Sequence, residues 1–269
     1  NPHGLRLTHL NINGIRNKMH EIEELLTYRK SDMLFISESR LSDNISNEVI
    51  KIDGYDMIRK DRATRLGGGL IIYHKSELKI QEVQSTLEEC EFLLIKIQIT
   101  RRRVAHVLHI YRPPNCQHQP FLNSLDCLLS SMTMAHQPFF LLGDINIDVL
   151  SRTPMQHEYS NILTSHSLRQ IIDQPTHNTL NTKTLLDHIA TNRPIGEYRS
   201  FVLDNSCSDH QAIEIHWKTQ VNFNELQHEY IIYRCMKSFK REDFQTKRKG
   251  KKGSRVPVPL LLEALTIVH

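Results

Sequence analysis

Cysteine, tryptophan and long apolar runs are all scarce in this chain. Its 269 residues include five cysteines and one tryptophan. No stretch approaches the ~20 apolar residues that a membrane-spanning helix needs. The cysteines (Cys90, Cys116, Cys127, Cys207 and Cys235) are odd in number, widely scattered and form no C-x-x-C pair. They read as reduced thiols of a nuclear or cytoplasmic protein rather than as a disulfide framework. The opening NPHGLRLTHL has no basic region followed by an apolar one, so neither secretion nor a membrane partner is expected. Position 1 is Asn rather than Met, which suggests a chain cut from a longer product or an incomplete reading frame. Internal repeats at periods of ~20–50 residues are also missing.

Positive charge is scarce outside one segment. The net charge of +4 conceals Lys237 to Arg255, where nine Lys or Arg stand against Glu242 and Asp243, leaving the rest of the chain at about −3. Nucleic-acid binding by bulk charge is thus excluded for the body, and any such function has to rest on specific residues. The polar, basic, glycine-containing segment reads as a disordered tail, and the VPVPLLLEALTIVH after it is too short to span a bilayer. The expected organisation is a folded domain over 1–218, then a connector and tail over 219–269.

Short β-rich runs fill the body: Leu5–Leu10, Met33–Ser37, Leu70–His74, Phe92–Ile99, Val104–Ile110, Phe139–Leu142, Leu186–Thr191 and Ala212–Trp217. Several alternate with period 2, as strands with one buried face do. Helical stripes are predicted over Lys18–Tyr28, Pro120–Met132 and, more weakly, Met155–Ser165. Strands outnumber helices and mostly follow one another directly. The pattern predicts an α/β protein with two packed mixed β-sheets flanked by helices rather than a doubly wound parallel sheet.

Polar clusters recur where these strands end. Leu5–Leu10 runs into Asn11, Ile12, Asn13 and Gly14; Ile36 is followed by Ser37 and Glu38; Ile110 leads to Tyr111, Arg112, Pro113 and Pro114. The run PFFLL ends in GDINID (Gly143–Asp148), Asp187 and His188 interrupt LLDHIA, and Ser208, Asp209 and His210 precede AIEIHW. Singly, each reads as a helix cap, a turn or a surface pair. Together they supply acids (Glu38, Asp144, Asp187, Asp209), asparagines (Asn11, Asn146) and His210, the inventory that metal-assisted phosphate hydrolysis requires.

In this order LNING, SES, YRPP, GDINID, LDHI and SDH resemble the motif series of the endonuclease/exonuclease/phosphatase superfamily, which includes apurinic/apyrimidinic endonucleases. The resemblance spans about residues 5 to 217. NINGIRNK, GGGLIIY, YRPPN, LLGDINID and TLLDHIATN look most like the endonuclease domains of non-LTR (LINE-class) retrotransposons, and Tyr233–Phe244 resembles the connector that leads towards reverse transcriptase in those elements. The resemblance implies a DNase I-like four-layer α/β sandwich and a monomeric endonuclease that nicks DNA. It implies Glu38 as the main ligand of Mg²⁺, with Mn²⁺ able to substitute. Asp209 would assist through water, and Asn13 would stand as a weak contact where repair enzymes carry an acid. Asp144 would orient or deprotonate the attacking water, with Asn146 donating to a phosphate oxygen or to that water. His210, paired with Asp187, would stabilise charge on the phosphate that Asn11 and Tyr111 hold. A phosphatase, a lipid phosphodiesterase or a non-catalytic nucleic-acid-binding copy are the alternatives.

Other signals point to structure. Gly67–Gly69 lacks the G-K-[ST] ending of a phosphate-binding loop and reads as a tight turn. His106 and His109, three apart on a strand, face opposite sides and do not read as joint ligands. Trp217 is expected in the core. Arg59, Lys60 and Arg62 are open between a solvated loop and a DNA-backbone contact.

Overall fold

Alternation of side chains sorts each long strand into two faces, and the face shared by both sheets changes character along its length. The computed structural model describes residues 4–62, 67–132, 137–179, 182–204 and 207–221. Of the connector and basic tail expected over 219–269, the part beyond 221 lies outside the described residues. In chain order the strands are β1 (Leu5–Asn11), β2 (Met33–Ser37), β3 (Tyr55–Lys60), β4 (Leu70–Lys75), β5 (Ile80–Glu82), β6 (Glu91–Thr100), β7 (Arg103–Tyr111) and β8 (Phe139–Asp144). They continue with β9 (Arg169–Gln170), β10 (His177–Asn178), β11 (Lys183–Thr184), β12 (Asp187–Thr191), β13 (Tyr198–Leu203) and β14 (Ala212–Trp217). The helices are α1 (Met19–Glu23), which runs on as a π-helical turn to Tyr28, α2 (His118–Ser131) and α3 (Pro154–Ser165).

One sheet has the order β13-β14-β1-β2-β4-β3 and the other β5-β6-β7-β8-β12-β9, with β10 and β11 forming a separate hairpin. Each large sheet contains a single parallel pair, β1–β2 in one and β7–β8 in the other. Between the sheets pack Leu5, Leu7, Phe35, Ile72, Ile95, Val107, Phe140, Leu142, Ile189 and Trp217. Helix α1 covers the outer face of the first sheet through Ile22, Leu25 and Leu26 against Leu10, Leu34 and Ile36. Helices α2 and α3 cover the second through Phe121, Leu125, Tyr159 and Leu163 against Leu108, Phe139 and Leu141. Three cores separating four layers make the expected α/β sandwich. Among the described residues no helix is long and apolar enough to cross a membrane.

All eight predicted strands form, within about two residues of their expected ends, as do the three predicted helices. The sequence reading missed β3, β5, β13 and the two-residue pairings β9, β10 and β11. Trp217 is buried against Phe140, as expected. Beyond residue 218, Thr219 is still buried and Val221 still packs on the inter-sheet core.

The parallel pair β7–β8 approaches closely at one point. Gly143 has φ +145°, and a Cβ there would stand 1.8 Å from the Ile110 carbonyl oxygen. Only glycine fits without separating the strands. Gly143→Ala is therefore expected to cost ~3 kcal/mol or more of stability, read as a lower urea midpoint by circular dichroism. An unchanged midpoint would mean that the two strands have room to part.

Candidate active site

On the inter-sheet face, period-2 alternation carries β1 from Leu5 and Leu7 to His9 and Asn11, and β2 from Met33 and Phe35 to Ser37. It carries β7 from Ala105 and Val107 to His109 and Tyr111, and β8 from Phe140 and Leu142 to Asp144. Apolar residues thus fill the middle of the sandwich, and polar ones gather at the carboxyl ends of its two parallel pairs. Register aligns them: Asn11 pairs with Ser37, Tyr111 with Asp144, and Asp144 with Asp187 on the antiparallel neighbour β12. The loop before β14 brings in Asp209 and His210, where Ser208 Oγ donates to the Asn11 carbonyl at 2.7 Å.

Asn11 joins the sheets. Its Nδ2 donates to Glu38 Oε1 at 2.9 Å and to Asp144 Oδ2 at 2.8 Å, while its Oδ1 accepts from the Asn13 amide at 3.1 Å. Glu38 also accepts from Arg40 Nη2 at 3.0 Å, and its charge acts on the Tyr111 hydroxyl. Burial first, then the charges of Glu38 and Asp144, push the Tyr111 hydroxyl well above its usual range, so it stays protonated. Glu38 stands just past β2 at φ 54°, a conformation that costs an L side chain roughly 1–2 kcal/mol. Its neighbours hold it there: Gly14 N donates to its carbonyl at 2.8 Å, and Ser39 N and Arg40 N donate to the carbonyls of Gly69 and Gly68 at 3.1 and 2.8 Å. A Cβ at Gly69 would meet Ser39 Oγ at 2.4 Å. The glycine run takes positive φ at all three residues and packs under the Glu38 loop.

Asp144 is 1% exposed and accepts from the Asn146 amide at 3.1 Å and from Asn146 Nδ2 at 3.2 Å. The other Asn146 Nδ2 contact, at 2.8 Å, is the Arg112 carbonyl, so this side chain orders Asp144 and the YRPP loop. Burial and then the charge of Asp187 push the Asp144 carboxyl up to about 7, against the opposing influence of His210 and the hydrogen bonds from Asn11 and Asn146. Asp187 Oδ2 lies 2.8 Å from His210 Nδ1. Burial alone would lower His210, but the charge and hydrogen bond of Asp187 outweigh it and hold the imidazole up to about 9. Asp187 is buried, yet His210 keeps it below the usual carboxylate range. Asp209 is exposed, with Oδ2 3.4 Å from His177 Nε2; burial opposes its ionisation, but the His210 charge outweighs that and keeps it low.

The structure therefore draws Asn11, Glu38, Tyr111, Asp144, Asn146, Asp187, Asp209 and His210 into one continuous site. Asn13 is exposed at its rim with φ 51° and meets the site through its backbone amide, which donates to Asn11 Oδ1. Ligating geometry, with donor atoms within 4.8 Å of one another, occurs for Asp144, Asp187 and His210 and for His177, Asp209 and His210 among the described residues. Arg59, Lys60 and Arg62 have intramolecular partners: Asp61 and loop carbonyls, the Phe92 carbonyl and ring, and Glu91.

Sequence reasoning missed the layer behind the site. His9 Nδ1 stands 3.5 Å from Asp187 Oδ1, its Nε2 is 3.0 Å from Ser37 Oγ, and that hydroxyl is 3.2 Å from His109 Nε2. Burial lowers His9 to about 4 and His109 well below its usual value, so both are neutral. The available signal was register: His9 and His109 lie two residues before Asn11 and Tyr111, hence on the same face. Thr176 was missed too; its Oγ1 accepts from the Asp187 amide at 3.0 Å. Arg112, fully buried, braces the carbonyls of Ile145, Asn146 and Cys116 at 3.3 Å. His188 faces away from the site and holds the GDINID loop through the Ile147 carbonyl at 3.0 Å.

Two six-stranded mixed sheets with this polar mouth define the chain as having the endonuclease/exonuclease/phosphatase fold, of the kind found in retrotransposon and apurinic/apyrimidinic endonucleases. More particularly, residues 105–214 match the family model described as endonuclease-reverse transcriptase. The endonuclease domain of TRAS1, a telomere-specific non-LTR retrotransposon, aligns at TM-score 0.65 and 15% identity, covering 80% of this chain and 99% of that one. An AP endonuclease from Archaeoglobus fulgidus aligns at TM-score 0.61 and 16% identity over 79% of this chain and 99% of its own. The 3′-5′ exonuclease NExo from Neisseria meningitidis aligns at 0.64 and 13% over 80% and 100%. No curated protein matches the chain.

The Asp187–His210 pair gives a direct test. In a histidine NMR titration His210 is expected to titrate well above 6.5, and in Asp187→Asn markedly lower, because burial is then opposed by the lesser charges of Asp144 and Asp209. A midpoint near 6.5 in both proteins would dissolve the pair.

Proposed function

We propose that the chain is a Mg²⁺-dependent endonuclease that nicks one strand of DNA and leaves a 3′-hydroxyl, as target-primed retrotransposition requires. The observation that carries this reading is the convergence of Asp144 with the Asp187–His210 pair, joined to Glu38 through Asn11. Four carboxylates face one protonated imidazole and Arg40, a surplus of negative charge, and the charge of Asp187 adds to burial in raising Asp144. Glu38, a hard oxygen donor whose side chain is 17% exposed, suits Mg²⁺, and Asp209 would assist through water. When bound, the ion would supply Lewis-acid stabilisation of the phosphate charge. Asn13 offers at most a rim contact.

The chain's own residues do the rest. Asp144, pushed to about 7, is placed to take a proton from an attacking water at neutral pH. His210, protonated and oriented by Asp187, stabilises negative charge on the phosphate. Asn11 fixes Glu38, Asn146 fixes Asp144, and Tyr111, kept protonated, would hold the phosphate. The expected partner is DNA and the expected setting nuclear or cytoplasmic.

Supercoiled plasmid should be opened with Mg²⁺ or Mn²⁺ and left intact with EDTA. Asp144→Asn, His210→Ala and Glu38→Ala should each lower nicking by ~10²–10⁴ with the fold retained by circular dichroism. The rate should rise as Asp144 loses its proton near about 7 and fall as His210 loses its own near about 9. Because a Neisseria relative of the same fold is a 3′ phosphatase bound to product DNA hairpin, a panel including a 3′-phosphorylated hairpin and a phosphoinositide should accompany the plasmid. Turnover of either in preference to plasmid would replace the nicking assignment.

A further inference from the structure

Beside the proposed catalytic pair stands a second cluster of different donor chemistry. His177, at the start of β10, forms an isolated antiparallel bridge with His210, and the two imidazoles pack with centroids 4.6 Å apart. The Asp209 carboxylate completes the group, with one donor atom from each residue within 4.8 Å of the others. Two imidazoles and one carboxylate are a donor set for zinc and its transition-metal neighbours rather than for Mg²⁺, which prefers oxygen throughout.

Two further features distinguish this cluster from a chance grouping. The first is separation: ligands ~2.0–2.1 Å from a shared tetrahedral ion stand ~3.3–3.4 Å apart, and His177 Nε2 lies 3.4 Å from Asp209 Oδ2. The second is the support behind each ring. His210 Nδ1 is held by Asp187 at 2.8 Å, and His177 Nδ1 lies 3.4 Å from Thr184 Oγ1. Metal-binding histidines commonly have one ring nitrogen anchored in this way, which fixes the tautomer and the ring orientation. Asp209 is half exposed and His177 is a fifth exposed, so an ion reaches the cluster directly from solvent.

We propose that His177, Asp209 and His210 form a binding site for zinc or a similar transition-metal ion, and that its occupancy blocks nicking by removing His210 from its charge-stabilising position. The blocking effect rests on the function proposed above; the binding does not. Metal binding at this site requires His210 to give up a proton, so affinity rises with pH.

The test uses the full chain and two readouts. Co²⁺ serves as the spectroscopic probe, and wild type should develop visible d–d absorption that His177→Phe, which keeps a ring against His210, lacks. His177→Gln provides a second variant should the aromatic one fold poorly. Nicking is then followed at fixed Mg²⁺ with increasing Zn²⁺. Zn²⁺ should inhibit wild type, and the His177 variants should need at least ~10-fold more Zn²⁺ for the same inhibition while retaining Mg²⁺-supported turnover. No Co²⁺ bands in wild type, or equal bands in the variants, would overturn the site. Bands lost in the variants with wild-type nicking undiminished by Zn²⁺ would overturn the block. If no metal supports nicking at all, the proposed function fails while the Co²⁺ arm still decides the site.

Discussion

The hydrogen bond from Asn11 to Asp144, between residues 133 positions apart, ties the mouth of one sheet to the mouth of the other. A buried carboxylate needs partners, and here one of them, Asn11, comes from the opposite sheet. Asn11 satisfies Asp144 and Glu38 at once, and Ser208 fixes the Asn11 backbone in turn. The sandwich can therefore close at this end only with its polar residues in one arrangement, and that arrangement is the site.

The same constraint accounts for local strain. Glu38, Asn13 and Asn146 all take left-handed backbone conformations immediately after strands that end at the mouth. The turn of the chain there aims a side chain across the inter-sheet gap that a continuing strand would have carried past it. Cross-loop hydrogen bonds from Gly14, Ser39 and Arg40 offset the cost. Behind the mouth, neutral His9 and His109 share Ser37, so the inter-sheet layer passes gradually from apolar to charged. Asp187 gains from this gradient, since His9 approaches one of its oxygens while His210 and Thr176 hold the rest of the residue.

Strands with one buried face were legible because alternation survives in any context where one side meets water or a helix. Those that escaped reading had weak signals: β3 and β13 are edge strands with few fully buried positions, and β9, β10 and β11 are two residues each. The candidate site was legible because its residues stand at strand ends in a recognisable order. The core position of Trp217 followed from the same local reading.

By itself the sequence determined the strand faces, the residue types at the strand ends and the four-layer class, because periodicity and end-of-strand polarity are local properties of the chain. Only the tertiary structure decided which of those ends meet. It showed that Asn11 and Asn146 spend their amide donors on carboxylates and the backbone, that Asp187 lifts His210, and that His9, His109, Thr176 and Arg112 lie behind the site. It also brought His177 onto His210 from the separate β10–β11 hairpin. Such pairings depend on register between strands far apart in the chain, and hydrophobic alternation, which repeats every two residues, carries no information about which distant strand will be the neighbour.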